Sequence, residues 1–163
     1  GVVALAPPIR STGSRASAGS ARTLAPFVGW WHPSAARLSI CPEEMEPFAF
    51  RRLMANVIED LHPGVVAQFA AFIREDRCGS ADGREDWRAA LATCRAPALF
   101  VAAPEDGIAT PAIVGEACER WGGEKALLVL PAGVGHTDML LGRRAPELLF
   151  PAVREWILGV PAA

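Results

Sequence analysis

The feature that most constrains the fold is an alternation that begins after Pro97. The apolar run Ala98-Leu-Phe-Val-Ala102 is followed by a helical stretch opened by Thr110-Pro111, then by a second apolar run, Ala126-Leu-Leu-Val-Leu130. Five apolar residues bounded by turn formers read as a buried strand, and the segment between the runs carries Ile113, Val114, Ala117, Cys118 and Trp121 at helical spacing. Gly122-Gly123 closes that helix. Strand, helix, strand implies parallel pairing through a right-handed crossover. Val2-Val-Ala-Leu-Ala6, stopped by Pro7-Pro8, reads as a third strand buried on both faces. The fold class is therefore α/β, with about three parallel strands and flanking helices.

The rest of the chain divides by pattern. Residues 1-10 and 95-163 form the expected core, and 11-25, rich in Ser, Ala, Gly and Arg, has no periodicity and reads as a flexible loop. From 26 to 94 the pattern is helical and is read as a cap inserted into the core. Met45, Phe48, Leu53, Val57 and Ile58 recur on one face, as do Val65, Val66, Phe69, Phe72 and Ile73 after Pro63, with Trp87, Leu91 and Cys94 continuing the pattern. Its aromatic residues, Phe27, Trp30, Trp31, Phe48 and Phe50, are either the lining of an acyl pocket or packing between cap and core. The final helix, about 146 to 158, is expected to bury Leu149, Val153, Trp156 and Ile157, to be kinked or split by Pro151, and to stop at Gly159.

Composition excludes several classes. Net charge is -2 and the arginines are scattered among Asp and Glu, so no cationic face for nucleic acid emerges. Cys41, Cys78, Cys94 and Cys118 are far apart, and His32, His62 and His136 form no ligand cluster, so neither a structural metal nor a cofactor is expected. Separated thiols suit a reducing, cytoplasmic setting. No apolar run reaches the ~20 residues that span a bilayer. The apolar share of 51% suits a chain that folds around a core.

Two loops carry the candidate chemistry. Asp106 lies in Ala103-Pro-Glu-Asp-Gly-Ile-Ala-Thr-Pro111 and His136 in Gly133-Val-Gly-His-Thr-Asp-Met139, each just past the carboxyl end of a strand, where open α/β sheets gather their reactive groups. Alone, Asp106-Gly107 is also an ordinary turn and His136 an ordinary surface histidine. Their shared context sets them apart. Glu105 is the substitute acid if the register is shifted by one, and Asp138 is read as orienting the His136 loop.

These segments, with Asp82-Gly-Arg-Glu-Asp-Trp87 and Gly135-His-Thr-Asp-Met-Leu-Leu-Gly142, resemble the C-terminal half of bacterial α/β-hydrolases, in particular the lipase-like and polyhydroxyalkanoate-synthase-like branch. The resemblance implies that Asp106 is the acid and His136 the base of a Ser-Asp-His-type triad, and that Val2 to Ala6 follows the nucleophile's strand and helix. No G-x-S-x-G occurs in the 163 residues, so the nucleophile is expected upstream of Gly1 and this chain alone is expected to be inactive. The function implied is hydrolysis, or acyl transfer on the same plan, of a small-molecule acyl ester or thioester. The alternative is a catalytically inactive binding or interaction domain on the same fold. The expected partner is the missing N-terminal half, or a second copy associating through the open edge of the first strand.

Overall fold

The computed structural model describes residues 1-11, 40, 41, 43-48, 52 and 63-159. Three parallel strands, β1 (Val2–Leu5), β2 (Ala98–Ala102) and β3 (Lys125–Val129), form a sheet in the order β1-β2-β3. The helices are α1 (Pro63–Glu75), α2 (Trp87–Ala90), α3 (Pro111–Arg120), α4 (Asp138–Leu141), α5 (Ala145–Leu148) and α6 (Phe150–Leu158), with a 3-10 turn at Leu91–Thr93 after α2. The fold is a partial α/β architecture: a parallel sheet flanked by helices.

The central strand is the centre of the core. All five residues of β2 are buried, because it is paired on both edges and covered on both faces. In-register pairing puts Val3, Leu5, Leu99, Val101, Ala126 and Leu128 on one face and Ala4, Phe100, Ala102 and Leu127 on the other. Helix α3 packs on β2 and β3 and buries Ile113, Val114, Ala117 and Cys118, residues one and four apart that form one stripe. Trp121, just past its end, meets the Phe100 ring edge-on at 5.7 Å between centroids. Val153 and Trp156 of α6 pack against the same core.

The two outer strands are less enclosed than their apolar runs suggest. Strand β1 has an exposed Val2 and half-buried Val3, Ala4 and Leu5 rather than two buried faces, since among the described residues only β2 pairs with it. Strand β3 alternates between exposed and half-buried, leaving Leu127 and Val129 in solvent, because it is the other edge of the described sheet. A run of apolar residues reads the same in a central and in an edge strand, and burial then depends on what lies beside it.

Further corrections concern the helical segments. Residues 76-86, between α1 and α2, are not helical: Asp76 has φ 51, and Gly79 pairs with Asp86 in an isolated antiparallel bridge. Ser80, Asp82 and Gly83 build the turn there, with Ser80 Oγ donating to Asp82 and Gly83 N to Ser80 O. Val65, Phe69 and Trp87 are exposed. The last helical region is split at Leu149 into α5 and α6, with Pro151 in the first turn of α6, and Gly159 at φ 66 receives the chain in the left-handed conformation that ends it. Ile157, expected inside, is 70% exposed, because it lies along an open apolar groove of about 630 Å³ with Val3, Leu5, Phe150 and Val153. Phe27, Trp30, Trp31, Phe50, Leu53, Val57, Ile58, His32, His62 and all of the expected 11-25 loop except Ser11 lie outside the described residues.

Candidate active site

The site forms where two strand-to-helix loops are tied together above the sheet. Leu130 N donates to Ala102 O, extending the β2-β3 ladder, and Glu105 N donates to Val134 O at 3.0 Å, so the loop after β2 is bonded to the loop after β3. Asp106 N closes a turn on Ala103 O. These backbone bonds bring together two side chains separated by thirty positions.

Asp106 is completely buried, yet every direction in which its carboxylate faces has a donor. Its Oδ1 accepts from Ile108 N at 2.7 Å and Ala109 N at 2.8 Å, the turn that leads into α3. Its Oδ2 lies 2.7 Å from Nδ1 of His136, and that contact joins the two residues directly. The carboxylate can only accept, so Nδ1 carries the hydrogen and donates it, which leaves Nε2 with a lone pair in the neutral ring. Among the described residues Nε2 has no hydrogen-bond partner, and the His136 side chain is 32% exposed. An imidazole held at one nitrogen by a buried carboxylate, with the other nitrogen basic, is equipped to take up a proton and to have the resulting charge stabilised. The carboxylate on Nδ1 is that of Asp106 rather than Glu105.

Asp138, at the start of α4, is 2% exposed. Its Oδ2 accepts from Gly135 N at 2.9 Å, which fixes the backbone immediately before His136. The same oxygen accepts from Cys41 N at 2.6 Å. Burial pushes its carboxyl above the usual range, against the opposing pull of those two N–H groups. Nothing in the sequence signals the Cys41 contact, since the partners are 97 positions apart. Burial, followed by the charges of Asp138 and Glu105, raises the Cys41 thiol to about 11, so it stays protonated and poorly suited to act as a nucleophile.

All four cysteines are free, and among the described residues no group of three or more His, Cys, Asp or Glu is placed to hold a metal ion. No described helix is long and apolar enough to cross a membrane.

No protein-family profile matches the chain, and no curated protein sequence does. Among solved structures, the chain is similar to Rv0554 from Mycobacterium tuberculosis at a TM-score of 0.52 and 17% identity, over 98% of this chain and 57% of that one. It also matches a thermophilic esterase from Thermogutta terrifontis, solved with malate bound, at a TM-score of 0.46 and 22% identity, over 88% of this chain and 50% of that one. The chain thus spans about half the length of these two structures. The likeness to Rv0554 is one of fold: a parallel sheet with flanking helices, a partial α/β architecture.

Proposed function

We propose that this chain supplies the acid and base of a Ser-Asp-His-type triad for ester or acyl hydrolysis, with Asp106 as acid and His136 as base. The observation that carries the reading is the 2.7 Å contact from His136 Nδ1 to a buried carboxylate whose other oxygen is held by two backbone N–H groups. In this scheme Nε2 takes the proton of a hydroxyl or thiol nucleophile as it attacks the acyl carbon. Asp106 stabilises the imidazolium, and Nε2 then returns the proton to the leaving group.

The nucleophile belongs, in this proposal, to a G-x-S-x-G or G-x-C-x-G turn N-terminal to Gly1, because the 163 residues contain none. A serine would favour hydrolysis and a cysteine acyl transfer. The substrate class is a small-molecule acyl ester or thioester, and residues 26-94 are its cap. A cytoplasmic location belongs to the same proposal and rests on the separated cysteines. The codons that precede Gly1 are a direct test: a nucleophile turn in frame there supports the proposal, and its absence from every frame opposes it.

The edge of β1 that has no partner strand among the described residues, beside the apolar groove along α6, is where the nucleophile-bearing half would attach by adding a parallel strand. In isolation the chain is expected to self-associate through that edge, with a sedimentation coefficient that rises with concentration. A monomer at all concentrations, with a sharp thermal transition, would contradict this assignment of the edge.

A further inference from the structure

We infer that Asp138 is a positioning residue that latches the chain around Cys41 to the loop of the base, and that it acts as a two-bond acceptor whose negative charge is dispensable. The inference rests on the reading of His136 as the base. Both backbone bonds that Asp138 accepts fall on one oxygen, Oδ2: Cys41 N at 2.6 Å and Gly135 N at 2.9 Å, with the Cys41 thiol also beside this carboxylate. Oδ1 is buried and has no partner among the described residues. An ionised carboxylate held for its charge would be expected to have donors on both oxygens, as Asp106 does.

The latch lies within a wider set of ties between the same two stretches. Arg143 N donates to Glu44 O at 2.7 Å, and the Arg144 guanidinium donates to Glu44 Oε1 at 2.6 Å and to Ala132 O at 3.2 Å. Met45, next to Glu44, is buried. Asp138 differs from the other ties because it alone bonds the residue next to His136. The oxygen that orders the chain at Cys41 therefore also orders the backbone that aims the imidazole, and displacement of one stretch leaves the other short of an anchor.

An amide offers the same single acceptor. Asp138→Asn keeps a carbonyl oxygen for both N–H groups, whereas Asp138→Ala leaves both without a partner. The experiment uses this chain and two readouts. Alkylation of Cys41, followed by peptide mass, is expected to be about tenfold faster in Asp138→Ala than in Asp138→Asn, with Cys78 and Cys94 unchanged. Both variants remove the same charge from beside the thiol, and each rate is divided by the thiolate fraction read from that variant's own pH profile, so that release of the Cys41 segment is what separates them. The 15N spectrum of the His136 ring, at a pH where it is neutral, is expected to stay wild-type in Asp138→Asn and to move toward a mixture of tautomers in Asp138→Ala. If Asp138→Asn behaves like Asp138→Ala in both readouts, the charge is what matters and the latch is wrong. If only Cys41 responds, Asp138 anchors the cap segment and does not position the base. Asp106→Asn serves as the independent arm: if it leaves the ring spectrum unchanged, the reading of His136 fails whatever Asp138 does.

Discussion

His136→Ala is expected to reduce ester turnover by roughly 10⁴- to 10⁶-fold in a protein that joins this chain to its nucleophile-bearing half. The loss should fall on kcat, with KM little changed, because the imidazole acts on the proton in flight and not on substrate binding. Hydrolysis of a nitrophenyl ester measures it. Stability should fall by about 1 to 2 kcal/mol, since the buried Oδ2 of Asp106 loses its donor while the two backbone N–H bonds to Oδ1 remain. Wild-type turnover in this variant would remove His136 from the mechanism, and an unfolded variant would show the residue to be structural.

Asp106→Ala is expected to have the largest effect on stability, about 3 kcal/mol, read from thermal or urea unfolding. The carboxylate is fully buried, and its removal strands the N–H groups of Ile108 and Ala109 together with Nδ1 of His136. Asp106→Asn separates this structural role from the chemical one. Its carbonyl oxygen can keep the two backbone donors, so stability should stay near wild type. Its amide then faces Nδ1 with a donor, which forces the hydrogen onto Nε2 and leaves the ring unable to accept a proton there. Turnover should fall by roughly 10⁴-fold. If the Asn variant is as unstable as the Ala variant, Asp106 is acting through its charge on the fold.

The parts of this molecule that were legible in the sequence are those whose local pattern and tertiary setting agree. Strand β2 and helix α3 read correctly because an apolar run between turn residues and a stripe containing Ile113, Val114, Ala117 and Cys118 are what a central strand and its covering helix require. The split of the last helix at Leu149 followed from Pro151, and its end from Gly159.

Where the reading went astray, the deciding information was not local. Leu127 and Val129 belong to a run as apolar as that of β2, and their place on the less covered face of an edge strand exposes them. Ile157 falls on the apolar face of α6, but that face borders an open groove. The break at 76-86 carries a local signal, Ser80-Ala-Asp-Gly-Arg84, which is turn chemistry set between two helical patterns. For the site, the sequence placed Asp106 and His136 at adjacent strand ends. It could not provide the bond between Glu105 N and Val134 O that joins their loops, nor the link from Asp138 to Cys41.

The most direct measurement is the tautomer of His136 in this chain, read from the 15N shifts of its two ring nitrogens at a pH where the ring is neutral. The expected result is a protonated Nδ1 and an unprotonated Nε2 in the wild type, reversed in Asp106→Asn. A ring that carries its hydrogen on Nε2 in the wild type, or one indifferent to Asp106→Asn, would contradict the pairing on which the proposed acid and base depend.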